Sequence, residues 1–327
     1  MNNSLVYILL VNWNGRQDTL DCLASLRRIT YRQHKIILID NASSDGGVAA
    51  IRQAFPEVEI IENGENKRFA AASNQGMACA LAAGADYVLL LNNDTEVAPD
   101  FLEVLVRHAQ QRPEIGMVGP KIFYHHDRQR LWFAGGEIAF WKGRVAHRGL
   151  RQMDGEQWNT PGTVDYLTGC ALLVKRECIE KIGNLDESYY IYGEDADWCV
   201  RARKAGFECW FAPEAHVWHK ISSSSGGGLT QFKAYHKVRS NFLFFKRHAR
   251  WWHWLTIPWW VAWGLFLEIL RQAANPKKGR EVIAALWRAF ADIVMHKAIK
   301  PPTASENEPR AIRNNFFPTD RNNPTDD

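Results

Sequence analysis

The chain has 327 residues, 46% of them hydrophobic, and a formal net charge of only +4. This length allows one large domain or a domain with an appendage, and so weak a positive charge does not predict a nucleic-acid-binding protein. The six cysteines form no C-x-x-C pair and are too sparse for a disulfide scaffold, so we expect reduced thiols in a cytosolic protein. The opening stretch, MNNSLVYILLVNWNG, lacks the basic region of a signal peptide and is interpreted as a first strand.

Short apolar runs alternate with helical patterns between residue 5 and about residue 120. The runs are LVYILLVNW, KIILID, VEIIEN and YVLLLNN, and helices are predicted near 17–28, 47–54, 69–83 and 99–110. Such alternation is typical of βαβ units, so it predicts an α/β fold with a mostly parallel sheet flanked by helices. The run from Tyr87 to Leu91 is apolar throughout, which indicates a central strand buried on both faces.

The rhythm changes after residue 120. Residues 121–162 are rich in Gly, Arg and aromatic residues and predict irregular hairpins beside the sheet. TGCALLVKRECIEKIG then predicts a strand followed by a helix, and GEDADWCVRARKAGF a helix ending at Gly206. The SSSSGGG stretch at 222–228 predicts a mobile loop, and the polar segment after Pro301 is expected to be disordered.

Polar side chains follow the predicted strands of the first half. They are Asn12 with Asn14, Asp40 with Asn41, Asn63 with Asn66, and Asn92 with Asp94. Asn and Asp are common turn residues, which would explain any one of these ends, but the carboxyl edge of an open α/β sheet is also where ligands bind. We therefore predict one polar crevice. Because neither G-x-G-x-x-G nor a P-loop follows the first strand, a nicotinamide or flavin enzyme and a P-loop protein are disfavoured.

Carboxylates at two places suggest metal binding and general base catalysis. Asp94, at a strand tip, is a candidate ligand for a divalent cation that bridges the oxygens of a diphosphate. Glu194, Asp195 and Asp197 occupy the first turn of a predicted helix, where they either only complement the helix dipole or include an enclosed general base of raised pKa. The second alternative is favoured by a cluster of aromatic neighbours, namely Tyr189, Tyr190, Tyr192 and Trp198.

Five motifs in a fixed order carry a family resemblance. They are LIDNASSDG, LLLNNDTEV, LTGCALLVKRE, YGEDADWCVRARKAGF and HVWHK. Over residues 5–240 the chain resembles the family 2 glycosyltransferases, and in particular their rhamnosyltransferase-like branch. The resemblance implies a GT-A fold and an inverting transfer from a nucleotide diphosphate sugar. We predict a GT-A domain over 1–240, an aromatic and basic helical region over 241–300, and a disordered tail over 301–327.

The resemblance also implies a donor site. Asp40 resembles the carboxylate that hydrogen-bonds the nucleotide base. Asn92-Asn93-Asp94 is similar to the D-x-D element, with Asp94 as the ligand of Mn²⁺ or Mg²⁺. Because Asn92 stands at the first acidic position, coordination rests on fewer charges. The other residues predicted to bind the nucleotide sugar are Asn12, Asn14, Arg68 and Asn74.

Further positions match the acceptor side and the metal. His219 resembles the histidine that joins the metal or the diphosphate, with His216 as an alternative. Asp195 is similar to the catalytic base that deprotonates the acceptor hydroxyl. Glu194 and Trp198 are predicted to contact the acceptor.

One position departs from the family pattern. Where many relatives have N-x-G-F-A, this chain has NKRFA, with Arg68 in place of glycine. Arg68 either donates to the diphosphate or base or is a solvated charge at a helix start, and the first is favoured. Asn74 in the following helix either faces the nucleotide or is a surface residue.

The C-terminal third is aromatic and basic. RWWHWLTIPWWVAWGLFLEIL holds six tryptophans between residues 251 and 263, is interrupted by Pro258 and charged by Glu268, and has basic residues on both sides. An in-plane or re-entrant membrane helix is therefore favoured over a true span or a packing helix. IAALWRAFADIVMHKAI predicts a second, amphipathic helix. We expect a cytoplasmic protein associated peripherally with the inner face of the cell membrane.

These features predict a glycosyltransferase that acts on a lipid-linked or cell-surface polysaccharide acceptor. Rhamnose from dTDP-rhamnose is favoured as donor over galactose or glucose. A nucleotidyltransferase is one alternative, but NWNGRQD is a poor match to its phosphate-binding loop. A non-catalytic sugar-binding scaffold is another, and the presence of Asp94 and Asp195 disfavours it.

Overall fold

One large mixed sheet organises the part of the chain that the computed structural model describes, which is residues 4–220, 230–272 and 276–295. The strands, in chain order, are β1 (Val6–Asn12), β2 (His34–Asp40), β3 (Glu59–Glu62), β4 (Tyr87–Asn92), β5 (Thr95–Val97), β6 (Ile115–Tyr124), β7 (Asp127–Phe133), β8 (Gly136–Ala139), β9 (Arg144–His147), β10 (Gly162–Val164), β11 (Ala171–Lys175) and β12 (Glu208–His219). Ten of them join in the order β10-β12-β6-β11-β4-β1-β2-β3, with β5 beside β12 and β7 beside β6. Strands β8 and β9 pair separately as a hairpin.

Helices flank this sheet as far as residue 204, as the βαβ alternation predicts, and three more α-helices of the described chain follow β12. They are α1 (Arg16–Leu26), α2 (Gly47–Ala54), α3 (Arg68–Ala82), α4 (Phe101–Gln111), α5 (Arg176–Ile182), α6 (Glu194–Lys204), α7 (Gln231–His248), α8 (Ile257–Gln272) and α9 (Pro276–Val294). The strands β3, β2, β1 and β4 run parallel to one another, and β11 is antiparallel to β4. The predicted α/β fold with a mostly parallel central sheet is confirmed.

The apolar run of β4 is buried because strands flank it on both sides. Residues Tyr87–Leu91 lie between β1 and β11 and are at most 6% exposed. Helix α3 packs closely on β1 and β2 at Gly76, where an added Cβ would lie 2.8 Å from Ile39 Cδ1. This close packing fixes the strand tips relative to the helix starts that surround them.

The region after β6 forms irregular hairpins, as predicted. Strand β7 returns along β6, and the β8–β9 hairpin follows. Lys121 on β6 is buried and its Nζ donates to Asp154 Oδ1 at 2.9 Å, which fixes the segment after this hairpin to the sheet.

The predicted C-terminal region begins within a helix. Helix α7 runs from Gln231 to His248, so the predicted boundary between 240 and 241 falls inside one helix. Pro258 does not interrupt a helix but stands in the first turn of α8, where its missing N–H is not needed. Among the described helices, none has the length and hydropathy needed to traverse a bilayer. The predictions for 222–228 and 301–327 fall outside the described residues.

Candidate active site

The carboxyl ends of the central strands lie side by side, as the polar strand ends predict. Asn12 at the end of β1 is in register with Asp40 at the end of β2, and Val11 is in register with Asn92 on β4. The polar residues that follow these strands therefore line one edge of the sheet, which is the edge where open α/β sheets bind ligands.

Asn12 is the hydrogen-bonding centre of this edge. Its Nδ2 donates to Asp40 Oδ1 at 2.7 Å, and its Oδ1 accepts from Asn93 Nδ2 at 2.9 Å and from Thr19 Oγ1 at 3.0 Å. The side chain is completely buried. Every polar atom of the side chain is used inside the protein, so Asn12 fixes the positions of Asp40 and Asn93. Its contact with the donor stays a prediction.

Asp40 closes the loop after β2 against the loop after β1. Its Oδ2 accepts from the Ser43 amide at 2.8 Å and its Oδ1 from Ser43 Oγ at 2.6 Å. Asn14 has a left-handed backbone, with φ of 52°, and its Oδ1 accepts from the Ser44 amide at 2.8 Å. Asp40 is only 2% exposed, and its hydrogen bonds hold the loop after β2 in shape. Its contact with a nucleotide base, and that of Asn14 with the donor, stay predictions.

Arg68 occupies a constrained turn at the start of α3. Its φ is 70°, its amide donates to Asn66 Oδ1 at 2.9 Å, and its carbonyl accepts from Asn41 Nδ2 at 3.3 Å. The guanidinium lies 4.2 Å above the ring of Tyr190, which stacks in turn on His236 at 4.3 Å. Arg68 is half-buried and held by an aromatic ring, which is not the environment of a freely solvated charge.

Replacement of Arg68 by glycine and by alanine separates its two roles. If Arg68 contacts the donor, both variants should bind a nucleotide diphosphate sugar at least about tenfold more weakly, because a charge-assisted hydrogen bond contributes about 1.5–3 kcal/mol. Arg68→Gly should nevertheless be more stable than Arg68→Ala by about 1 kcal/mol, since only glycine adopts this φ without strain. Titration calorimetry and chemical denaturation measure the two effects. Unchanged donor affinity in both variants would remove Arg68 from the donor site.

Asn74 has a structural role that the sequence did not reveal. Its Nδ2 donates to the Leu185 carbonyl at 3.0 Å and to Glu187 Oε1 at 2.9 Å, and its Oδ1 accepts from the Leu185 amide at 3.0 Å. The side chain is buried. Its amide therefore joins the segment before α6 to helix α3, and the nucleotide contact of Asn74 stays a prediction.

Asp94 and His219 form a carboxylate–imidazole pair at the same edge. Strand β5, directly after Asp94, pairs with β12 so that Thr95 is opposite His219, and His219 Nε2 lies 3.0 Å from Asp94 Oδ1. Burial alone would raise the pKa of Asp94, but the adjacent imidazole lowers it below its ordinary value. Burial alone would lower the pKa of His219, but Cys170 and Asp94 beside it raise it well above its ordinary value. The pair is therefore ionic when no cation lies between its members.

The structure distinguishes the two candidate histidines. His216 contacts the ring of Phe123 edge-on at 5.4 Å, and burial lowers its pKa. It is His219 that reaches Asp94. Residues three apart on a strand face opposite sides of the sheet, so only one of the two can point toward the β5 turn.

Trp132 on β7 is a site residue that sequence reasoning missed. Its ring is half-buried and contacts His219 edge-on at 4.7 Å and His147 at 4.6 Å. Burial lowers the pKa of His147 to about 4, so this second imidazole is neutral near pH 7. The concentration of aromatic residues in 121–162 was the available signal, but it did not specify which aromatic residue packs on His219.

The donor set suits a divalent cation that is shared with a substrate. Within the described residues no group of three His, Cys, Asp or Glu side chains could hold a metal. Asp94 and His219 supply one carboxylate and one imidazole, and Mg²⁺-like ions are often held by one or two protein ligands together with substrate phosphates and water. The residues present therefore fit a cation that is completed by a diphosphate.

Asp195 lies at the start of α6 and is held by backbone amides. Its Oδ2 accepts from the Gly169 amide at 3.0 Å and its Oδ1 from the Ala196 amide at 2.7 Å. The next residue, Cys170, accepts from the Asn92 amide at 2.8 Å through its carbonyl. The short Gly169–Cys170 segment thus connects the carboxylate of Asp195 to the end of β4. Burial is the main reason that the pKa of Asp195 is raised, although the side chain keeps part of its surface exposed.

Glu194 is the more deeply enclosed member of the acidic pair. Its side chain is buried, and its Oε2 has no hydrogen-bond partner among the described residues. Burial, reinforced by the neighbouring Asp195, raises the pKa of Glu194 to about 8. Glu194 is therefore protonated near pH 7, and Asp195 is the member of the pair that is suited to accept a proton.

The raised pKa of Glu194 makes stability depend on pH. The folded state binds a proton at Glu194 up to about pH 8, whereas the unfolded state releases it near 4.5. The free energy of unfolding should therefore fall as the pH rises from about 5 to 8. In Glu194→Gln, which cannot ionise, this fall should be smaller. Urea denaturation across this range measures both slopes, and equal slopes in the two proteins would contradict the assignment.

The side chains of Trp198 and Asp197 hold helix α6 against neighbouring segments. Trp198 is completely buried and its Nε1 donates to the Gly183 carbonyl at 2.8 Å. The indole has no exposed surface in this structure, and the acceptor contact of Trp198 stays a prediction. Asp197 accepts from Arg201 Nε at 2.8 Å and lies 2.7 Å from His248 Nε2, which joins α6 to the end of α7.

The fold is that of the GT-A glycosyltransferases. The solved structure of GalNAc-T7 with UDP, GalNAc and Mn²⁺ superposes with a TM-score of 0.55 at 18% identity, covering 72% of this chain and 47% of that one. The mannosyltransferase PcManGT of Pyrobaculum calidifontis, solved with GDP-Man and Mn²⁺, gives a TM-score of 0.54 at 16% identity, covering 90% of this chain and 79% of that one.

The sequence specifies the family within this fold. The model of glycosyl transferase family 2 matches residues 7–183, and the chain belongs to that family. An N-acetylglucosaminyl-diphospho-decaprenol L-rhamnosyltransferase of Mycobacterium tuberculosis is 32% identical over 249 residues, which are 70% of this chain and 80% of the relative. The dTDP-rhamnosyl transferase RfbF of Shigella flexneri is 21% identical over 257 residues, or 75% of this chain and 81% of that relative. The protein is a glycosyltransferase, as predicted.

Proposed function

We propose that this glycosyltransferase moves a rhamnosyl group from dTDP-rhamnose to a hydroxyl of a lipid-linked glycan, with inversion at the anomeric carbon. The donor and the acceptor class come from the two rhamnosyltransferase relatives. The single structural observation that carries the chemistry is the placement of Asp195, which backbone amides hold beside the segment that leads to the end of β4.

The reaction we propose is one displacement. Asp195 accepts the proton of the acceptor hydroxyl while that oxygen bonds to the anomeric carbon and the bond from this carbon to the diphosphate oxygen breaks. Attack opposite the leaving group inverts the sugar. Protonated Glu194 beside Asp195 adds no second negative charge near the incoming hydroxyl.

The leaving diphosphate needs positive charge. Asp94 and His219 would hold the divalent cation, which supplies charge compensation for the diphosphate when bound. We propose that Arg68 donates to the diphosphate from its guanidinium fork, and the contact of this fork with the ring of Tyr190 supports the proposal. Trp132 limits the rotation of the His219 ring by edge-on contact.

The acceptor class also implies a place of action. A glycan attached to a lipid is presented at a membrane surface, so we propose that the enzyme works peripherally at the cytoplasmic face of the cell membrane. The GT-A domain would then take its soluble donor from the cytoplasm.

Titration calorimetry with a panel of nucleotide diphosphate sugars, with and without Mn²⁺, tests the donor assignment. We expect dTDP-rhamnose to bind most tightly, and only with the cation. Preference for a galactosyl or glucosyl donor would keep the mechanism and change the sugar. Absence of binding by every donor would favour the non-catalytic scaffold.

A further inference from the structure

Exposed apolar side chains are concentrated in the C-terminal region. Of the fifteen large hydrophobic residues that are exposed in the described chain, twelve lie between 251 and 295. We call these twelve the aromatic face, and its aromatic members are Trp251, Trp259, Trp260, Trp263, Phe266, Trp287 and Phe290. Such a concentration of exposed apolar side chains indicates a place of interaction, because exposed apolar residues on soluble proteins are normally scattered singly.

Helix α8 supplies the centre of the aromatic face. Trp259 is 77% exposed and Trp263 is 53% exposed, whereas Ile257 at the helix start is buried against Gly143. Beyond that first turn, every described side chain up to Leu267 is exposed, although the segment is apolar. A helix that is apolar on nearly all sides requires apolar surroundings, and the described protein does not provide them.

Helix α9 has two apolar stripes with different environments. Val282, Ala285 and Ala289 are buried, the first two in a small core with Ala234 of α7. Trp287 and Phe290, on the other side, are 68% and 56% exposed. Packing on α7 therefore explains one stripe, and the second stripe extends the aromatic face.

Basic groups border this surface. Residues 241–295 contain eight Lys and Arg against three Asp and Glu, so the excess positive charge of the region is larger than the +4 of the whole chain. Lys142 Nζ lies 5.3 Å above the ring of Trp260, and Arg250 lies over Trp252 at 5.0 Å. Arg288 is exposed one residue after Trp287.

The aromatic face is firmly joined to the catalytic helix. Thr256 Oγ1 donates to the Trp141 carbonyl at 2.6 Å, which joins the start of α8 to the hairpin region. Ser240 Oγ on α7 donates to the Ile191 carbonyl at 2.7 Å, three residues before α6. A surface bound through the aromatic face would thus be held at a fixed orientation to the active site.

We propose that the aromatic face is an in-plane binding surface for a bilayer with anionic headgroups. Tryptophan side chains prefer the membrane–water interface, and adjacent basic residues add attraction to anionic lipid. Helix α8 has 16 residues, which is about 24 Å and shorter than the roughly 30 Å hydrocarbon core, so it lies in the interface. By this surface the proposed glycosyltransferase would reach a lipid-linked acceptor. The purpose of the binding rests on the proposed function, whereas the binding itself does not.

A second copy of the chain is the competing occupant. Pairing two such faces would bring two regions of net positive charge together, which opposes self-association. An anionic bilayer supplies the complementary charge, so the observations favour the bilayer.

Vesicle co-sedimentation of the full chain tests the proposal. The probes are phosphatidylcholine vesicles with and without phosphatidylglycerol, at low and high salt. The test variant is Trp259→Ser/Trp263→Ser, and the matched control is Leu150→Ser/Met153→Ser, which replaces exposed apolar residues outside the aromatic face. Thermal unfolding and dTDP-rhamnose calorimetry on all three proteins monitor folding and the donor site.

The wild-type chain should bind phosphatidylglycerol vesicles, and more weakly at high salt. The tryptophan variant should bind them at least about tenfold more weakly than the wild type, and the control variant should bind like the wild type. No vesicle binding by the wild type, or equal loss in the control, would overturn the proposal. The proposal would also be overturned if the wild type sedimented as a dimer and the tryptophan variant as a monomer, while both bound vesicles equally. If none of the three proteins bound dTDP-rhamnose, the proposed function would be refuted. The result for vesicle binding would not depend on that outcome.

Discussion

Asp195→Asn should lower the rate of sugar transfer about 10²–10⁴-fold while donor affinity stays within about twofold of wild type. The amide has the shape of the carboxylate and can still accept from the Gly169 amide, but it cannot accept a proton from the acceptor hydroxyl. Steady-state kinetics with saturating donor separates the two effects, since the loss should fall on kcat.

Asp197→Asn is the matched control for this variant. Asp197 lies two residues further along α6, but its carboxylate is occupied by Arg201 and His248. The pKa of Asp197 is lowered by these partners against the effect of burial, so the substitution should reduce Tm and have a small effect on kcat in the protein that remains folded. The base assignment fails if the two variants lose kcat equally at full folding, or if Asp195→Asn retains wild-type turnover.

Asp94→Ala should weaken Mn²⁺-dependent donor binding at least about tenfold. It removes the one carboxylate of the pair, and changes in the outer shell of a metal site alone cost about 10–100-fold. His219→Ala should act in the same direction, because its imidazole is the other member of the pair. Calorimetry with Mn²⁺ and without it measures the difference.

His216→Ala is the matched control for the metal prediction. It removes an imidazole from the same strand, but one that packs on Phe123 and does not contact Asp94. Its donor affinity should match wild type at every Mn²⁺ concentration. If His216→Ala and His219→Ala weakened binding equally, the pairing of Asp94 with His219 would not be the feature that binds the cation.

The elements that were predicted well depend on local patterns. The run at Tyr87–Leu91 ends at Asn92 in both the prediction and the structure, because a strand buried on both faces requires continuous apolar residues. The start of α6 at Glu194 was equally visible, since Gly193 and the acidic first turn are local signals. These signals placed Asp94 and Asp195 correctly at a strand tip and a helix start.

The structural roles that the sequence did not reveal share a physical cause. Asn12 and Asn74 are polar residues close to the predicted site, and the side chain of each is hydrogen-bonded to partners that are distant along the chain. Asn74 bonds Leu185, which is 111 positions later, and Asn12 accepts from Asn93, which is 81 positions later. Sequence spacing does not specify such partners, because they depend on how helices and loops pack in three dimensions.

Two choices were decided only by strand register. The sequence offered His219 with His216 as an alternative, and the pairing of β12 with β5 brings His219 to the Asp94 turn. The contact of Trp132 with His219 likewise depends on the return of β7 along β6. A one-residue change in the register of β12 would put Trp218 or Lys220 opposite Thr95 in place of His219.

The most direct test of the central claim is transfer itself. The full chain is incubated with dTDP-rhamnose, Mn²⁺ and a prenyl-diphosphate-linked N-acetylglucosamine, and the lipid product is analysed by mass spectrometry. We predict an acceptor heavier by one rhamnosyl group, with release of the nucleoside diphosphate and no product from Asp195→Asn. If the folded wild-type protein transferred no sugar from any nucleotide diphosphate donor to any lipid-linked glycan tested, the proposed function would be contradicted.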